Sequence, residues 1–282
     1  SINAETWEWD GADWTPVGAI ITPDHAEYVH NDSFGEALAM SADGDRVAVG
    51  SSEARNGDGY VRAYDWDGGS WVQRGAEIVS EPAEDWFGAS VALSADGGRL
   101  AVGAPASEGF DNAVHVYDWD GSDWSRVGDA IGEAIHHFFG QSVDLSSDGT
   151  RLAVKAAGNQ VLEISGYVRL LDWDGEAWTP VTADFDVAPG DAFGGTVGLS
   201  VAGTRVAVES GGTVRTFDEQ VVVPSTSTTT TSSSPASPTA PPTTTNVPST
   251  LPPTGLGAYW LLVAAMTLAL GLGGVCAARR PL

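Results

Sequence analysis

The chain has 282 residues, and its 13 basic and 38 acidic side chains give a formal charge of −25. Every acid lies at or before Glu219, and only Arg279 and Arg280 of the basic residues lie beyond it, so residues 1–220 carry a formal charge of −27. Such a field repels nucleic acid and anionic lipid, and a single cysteine, Cys276, excludes a disulfide framework or a cysteine-based metal site or nucleophile in this segment.

In chain order, Thr6-Trp7-Glu8-Trp9-Asp10-Gly11 comes first and aligns with the later Ala63-Tyr64-Asp65-Trp66-Asp67-Gly68. Four copies of one phrase follow, marked by Phe34-Gly35, Phe87-Gly88, Phe139-Gly140 and Phe193-Gly194 at spacings of 53, 52 and 54 residues. The clearest copy predicts four short strands: Ser90 to Leu93, Arg99 to Val102, Val114 to Trp119 and Trp124 to Val127. Asp96-Gly97 and Asp120-Gly121 supply the hairpin turns, because glycine takes the positive φ angles that tight turns need.

The runs Val47 to Val49, Leu100 to Val102, Leu152 to Val154 and Val206 to Val208 have no polar alternate, the pattern of strands covered on both faces. Trp9, Trp66, Trp119 and Trp173 precede the second turn, and Trp14, Trp71, Trp124 and Trp178 follow it, with packing between neighbouring units as the expectation. Units of about 53 residues with four antiparallel strands predict an all-β fold, a β-propeller of four visible blades over residues 1–220. Asp13 to Ile21 could complete the fourth blade and close a four-bladed ring. A processed or incomplete N-terminus with further blades is the preferred reading, because Thr6 to Asp10 otherwise duplicates the strand ending at Glu219.

The repeated phrase resembles the FG-GAP unit of integrin-α-like propellers: Phe87-Gly88, a small-residue strand, an Asp-containing turn and Val102-Gly103-Ala104-Pro105. The third and fourth copies depart from it at Val154-Lys155 and Val208-Glu209. Calcium-binding copies of that family carry several alternating acids in the first turn, whereas Ser41-Ala42-Asp43-Gly44 and its counterparts offer one carboxylate or none. One carboxylate does not satisfy six to eight oxygen ligands, so no metal and no cofactor is expected.

Residues 221–250 are dominated by Ser, Thr and Pro, a composition that buries no core and predicts an extended, disordered stalk. Residues 251–282 have three parts: Leu251-Pro252-Pro253-Thr254-Gly255, an uncharged apolar run over 257–278, and Arg279-Arg280 close to the C-terminus. The run of 22 residues suffices for a transmembrane helix, with the arginines retaining the cytoplasmic end. The order resembles a Gram-positive cell-wall sorting signal, which implies that a sortase attacks the Thr254 carbonyl, releases Gly255 onward and transfers the acyl group to peptidoglycan. The alternative is a single-pass membrane protein that keeps its helix. Both place residues 1–220 outside the cytoplasm.

Within those residues His136-His137 invites a metal reading, but the pair occupies the loop slot held elsewhere by Asn31-Asp32, Glu84-Asp85 and Gly190-Asp191. His25, His30 and His115 fit no ligand spacing. The Asp65, Asp118 and Asp172 copies of Asp-Trp-Asp-Gly read as an edge residue followed by a turn former rather than as catalytic carboxylate pairs. Asp32, Glu84, Asp85 and Asp191 recur before the Phe-Gly pairs and mark a candidate ligand face for a cation or basic group. The expectation is therefore a displayed binding or adhesion module with an extracellular protein or glycan partner. An extracellular glycan-active propeller enzyme and a structural coat protein are the competing classes.

Overall fold

The computed structural model describes residues 3–23, 33–80, 86–105, 112–133, 138–158, 165–186, 195–210 and 212–218. Here β1 (Trp7–Trp9) and β2 (Trp14–Pro16) form a separate two-stranded hairpin. The first full sheet has β3 (Ala37–Met40), β4 (Arg46–Ser51), β5 (Tyr60–Trp66) and β6 (Trp71–Gln73), antiparallel in that order. The second repeats it with β7 (Ser90–Leu93), β8 (Arg99–Ala104), β9 (Asn112–Trp119) and β10 (Trp124–Arg126). Short β11 (Ile131–Glu133) pairs with the start of β9.

The third sheet has β12 (Phe139–Leu145), β13 (Arg151–Ala156), β14 (Tyr167–Trp173) and β15 (Trp178–Pro180), with β16 (Phe185–Asp186) pairing the start of β14. The fourth contains β17 (Val197–Leu199), β18 (Arg205–Ser210) and β19 (Thr213–Asp218). The repeats are thus an all-β series of antiparallel sheets. Among the described residues β1 and β2 pair only with each other and add no strand to the fourth sheet, so the closing strand considered from Asp13 to Ile21 is not formed there.

The expected strands fall where the alternation places them, but the first turn of the unit is longer than two residues, whereas the second closes with Asp120 N donating to Asp123 O across Gly121 and Ser122. Leu93 pairs with Leu100, and Ser94 N donates to Arg99 O at 2.9 Å, leaving a four-residue connection that turns at Gly97 with φ of 61°. The fourth strand is also interrupted. After β10 the chain bends at Gly128, with φ of 73°, and resumes on the same edge of β9 as β11. One three-residue strand is too short to cover the eight residues of β9.

The core lies between sheets. Each sheet presents a face of small side chains to the next, whose facing surface carries large ones. Ala37, Ala48, Val61 and Ile78 of the first sheet meet Phe87, Leu100, Val102 and Tyr117 of the second. Ala92, Ala101, Val114 and Val116 meet Phe139, Leu152, Val154 and Leu171 in the same way. Ala153 and Val168 meet Val206, Val208 and Phe217. Ahead of them Ala4 and Ile21 meet Phe34, Val47, Val49 and Tyr64. Small against large lets two twisted sheets approach without voids, and the middle residues of β4, β8 and β13 are buried on both faces, as their unbroken apolar runs require.

Candidate functional site

The turn that opens each unit is built from its own polar residues. Ser41, Ser94 and Ser146 donate their hydroxyls to Asp43, Asp96 and Asp148 at 2.5–2.6 Å, and Asp45, Gly98 and Thr150 donate backbone N–H to the same carboxylates. The serine hydroxyl first, then the backbone donor, hold these three carboxyls below the ordinary aspartate value. One oxygen of each carboxylate, Oδ1, is thereby committed to folding the turn. The turns are also joined to each other: Ala42 N donates to Ala95 O, Ala95 N to Ser147 O and Ser147 N to Val201 O, each at 2.9 Å.

Arginines fasten this row. Arg46, Arg99, Arg151 and Arg205 begin the second strand of successive sheets, opposite Asp65, Asp118, Asp172 and Asp218 on the third. Arg99 grips Asp118 with Nε at 2.6 Å and Nη2 at 2.8 Å, while its Nη1 donates to Gly149 O in the next sheet at 2.9 Å. Arg151 repeats the arrangement with Asp172 and Gly203 O. A planar guanidinium with five donors suits a carboxylate and a neighbouring carbonyl simultaneously. Asp65, Asp118 and Asp172 are therefore ion-pair partners, not simple edge residues. Asp67 and its equivalents are the turn formers expected, accepting from the backbone two and three residues onward.

Each second-turn tryptophan pair lies directly across its hairpin, with ring centroids 5.4–5.6 Å apart. The expected packing between units is present as well. Arg74 of the first sheet lies 4.1 Å over the Trp119 ring of the second, and Trp124 Nε1 donates to Arg74 O at 3.2 Å.

The regularity breaks at the third and fourth sheets. Asp144 on β12 stands where the other copies have Ala39, Ala92 and Gly198. Its Oδ2 accepts Leu199 N of β17 at 2.6 Å and its Oδ1 accepts Leu145 N at 2.9 Å. Ser142 Oγ accepts Val197 N beside it at 3.1 Å. Burial pushes the Asp144 carboxyl up to about 6 despite both backbone donors. Lys155 replaces the glycine of the earlier copies, is buried, and donates to Glu209 O at 3.3 Å. Burial lowers its pKa, with the Glu209 charge opposing the shift. Both oxygens of Asp144 are committed to backbone N–H groups, so its geometry seals one sheet against the next.

Asp32, Glu84, Asp85 and Asp191 lie outside the described residues, as do His25, His30, His136 and His137. So do Leu251, Pro252, Pro253, Thr254, Gly255, Arg279 and Arg280, together with the stalk and the apolar run. His115 is buried, with its ring 5.7 Å from that of Phe87, so it belongs to the core. Among the described residues no three His, Cys, Asp or Glu side chains gather into a metal-holding group. Sequence reasoning missed the arginine staple, although Arg46, Arg99, Arg151 and Arg205 recur at the same 53, 52 and 54 spacings as the Phe-Gly pairs.

No family model matches the sequence, and no curated protein matches it. Solved structures of similar fold include Kuenenia stuttgartiensis hydrazine synthase, 20% identical over 70% of this chain and 46% of that one, with a TM-score of 0.45. TolB from Acinetobacter baumannii is 14% identical over 66% and 43% of the two chains, with a TM-score of 0.40. The β-propeller domain of the Trilobed protease from Pyrococcus furiosus is 11% identical over 61% and 46%, with a TM-score of 0.36. This chain spans less than half the length of each of these structures.

Proposed function

We propose that this chain is a surface-displayed binding protein, with a propeller-type head of FG-GAP-like units over residues 1–220, held out on the stalk 221–250 and joined to peptidoglycan through Thr254. The order of residues 251–282 carries the anchoring reading: Leu251-Pro252-Pro253-Thr254-Gly255 immediately before 22 uncharged residues, and two arginines immediately after them. The apolar run halts export in the bilayer, the arginines hold the cytoplasmic side, and the pentapeptide is left at the outer surface. A sortase thiolate then attacks the Thr254 carbonyl carbon, the Gly255 amine leaves, and a peptidoglycan amine resolves the thioester. Here the chain is substrate and not catalyst.

The head's contribution is display. Sheets that are fastened to one another by arginine staples and small-on-large junctions give a rigid support from which the loops between strands make contact. The loop acids Asp32, Glu84, Asp85 and Asp191 are the proposed contact face, with an extracellular protein or glycan as the partner.

Incubating the full chain with a purified sortase specific for Leu-Pro-any-Thr-Gly and a triglycine amine tests the anchoring. Mass spectrometry should find a product ending in Thr254 joined to the amine, and a released fragment beginning at Gly255. Thr254→Ala should remain intact. A wild-type chain that stays whole through Leu282 overturns the reading.

A further inference from the structure

We propose that the paired rings of Trp86 and Phe138 form a stacking platform for a neutral glycan of β-linked, glucose-type pyranoses. The inference rests on the reading of residues 1–220 as a binding module, to which it adds a contact site and a ligand class, and is independent of how the chain is anchored. Ser33, Trp86 and Phe138 each stand immediately before a Phe-Gly pair, and they are the non-glycine residues of positive φ among the described residues, at 48°, 63° and 48°. Each opens the same turn: its carbonyl accepts the backbone N–H three residues on, from Glu36 and Ala89 at 3.0 Å and from Gln141 at 3.1 Å. A left-handed backbone disfavours bulky side chains, and Ser33 shows that the turn forms around a small one. Folding the turn therefore does not explain the two large rings.

The core is filled by their neighbours instead. Phe87 and Phe139 are fully buried between sheets, whereas Trp86 is 37% exposed and Phe138 is half-buried. The two outer rings belong to consecutive sheets, ahead of β7 and at the start of β12, with centroids 6.4 Å apart and planes 11° from parallel. Parallel rings at that separation are offset, so each leaves part of its face uncovered by the other. The backbone beneath is clamped from outside its own sheet, because Trp86 N donates to Gly57 O in the β4–β5 connection at 2.6 Å. A bulky residue held in a strained conformation, with its ring half in solvent, is an arrangement that binding sites retain at the expense of stability.

The size and charge of the patch select the ligand. Among the described residues Trp86 is the only exposed large apolar side chain of the second and third sheets and their connections. The patch is thus two rings wide, far below the roughly 800 Å² per partner of a standard protein interface, and it suits one or two sugar rings. A β-linked glucose-type pyranose carries its substituents equatorially, so each face is a flat array of C–H bonds that can lie against an aromatic ring while the hydroxyls stay in water. The formal charge of −27 on residues 1–220 repels anionic polysaccharides, which leaves a neutral glycan.

The test is a titration of the full chain with cellohexaose, in a detergent without sugar headgroups, followed by NMR of the indole N–H resonances of its 11 tryptophans. The resonance that is missing from Trp86→Phe should be the one that moves most in wild type, with a Kd of about 1 mM or tighter. By calorimetry Trp86→Phe should bind within about threefold of wild type, and Trp86→Asn at least about fivefold more weakly. Asparagine accepts the left-handed backbone without supplying a ring, so its thermal midpoint should stay within a few degrees of wild type; if it falls further, the wild-type indole titration still decides. Equal binding of cellohexaose by wild type and Trp86→Asn, with other resonances moving, leaves the head a binding module and overturns this site. A hexa-arginine peptide that moves the Trp86 resonance where cellohexaose does not overturns the glycan in favour of a basic protein partner. A chain on which neither probe moves any resonance overturns the site and counts against the binding reading as well.

Discussion

Arg99 and Asp118 face each other across β8 and β9 as a two-pronged ion pair, and the guanidinium's remaining nitrogen reaches the Gly149 carbonyl of the following sheet. One side chain therefore ties two strands of its own sheet and a turn of the next. Lysine offers a single point donor in place of the planar fork. Arg99→Lys should cost about 2 kcal/mol in urea denaturation, from lost charge-assisted hydrogen bonds. Arg205 pairs with Asp218 at the equivalent position, but both side chains are more than half exposed. Arg205→Lys should stay within about 0.5 kcal/mol of wild type, as exposed pairs do. Equal losses at the two positions would mean that the staple contributes nothing beyond a surface pair.

Gly88 is needed where it stands for two separate reasons. Its φ is 89°, and a Cβ there would lie 2.7 Å from Tyr60 O and 3.1 Å from Val61 Cγ2 of the preceding sheet. Gly121, in an outer turn, has φ of 103° but nothing within 4 Å of the added carbon. Gly121→Ala should cost about 1 kcal/mol from backbone strain alone. Gly88→Ala should cost more than about 2 kcal/mol, because strain and collision act together. Thermal unfolding of the two variants separates conformation from close packing.

How much of this was legible in the sequence follows from which signals are periodic. The hairpins of the second unit could be read from Leu100 to Val102 and from the two Asp-Gly pairs, because local pattern and turn chemistry agree there. The cross-strand Trp119–Trp124 pair was visible as a repeated aromatic, and its ring separation of 5.5 Å follows from the register. The role of Asp118 was not legible. Alternation assigns it a face, but its partner Arg99 is 19 residues away and is brought opposite only by strand register. Asp144 was invisible for a different reason: it breaks the repeat instead of following it, and its partner Leu199 N is a backbone group of another sheet.

Arg62 and Glu77 form a buried pair at 2.9 Å on the large face of the first sheet, where Arg62 also lies 5.1 Å over the Tyr60 ring. The second sheet fills the same position with His115, whose ring is tilted against that of Phe87 at 5.7 Å, and has Ala130 in place of the acid. Removing one member of a buried pair strands the other, so Glu77→Ala should cost about 3 kcal/mol. The double variant Arg62→His with Glu77→Ala copies the second sheet's solution and should lose less than Glu77→Ala alone. A double-mutant cycle by chemical denaturation checks the sign of that coupling.

Asp144 should give the third and fourth sheets an unusual response to pH. Its folded pKa of about 6 lies above the ordinary aspartate value of 3.8, because the carboxylate is desolvated between sheets. Protonation therefore favours the folded state at this position. The stabilising contribution is fully present below about pH 4 and is lost as pH rises through about 6. Asp43, Asp96 and Asp148 have the opposite sign: their carboxyls are depressed by serine hydroxyls and backbone donors, and their contribution is lost in acid. The whole molecule thus sums opposing trends, and the informative quantity is the difference between wild type and Asp144→Asn. Asparagine keeps one oxygen to accept Leu199 N and carries no charge to desolvate. The stability of Asp144→Asn relative to wild type should rise between pH 4 and pH 7 in urea titrations, with the change centred between the two pKa values. A difference that stays flat across that interval would show that the carboxylate is as well solvated in the folded chain as in the unfolded one.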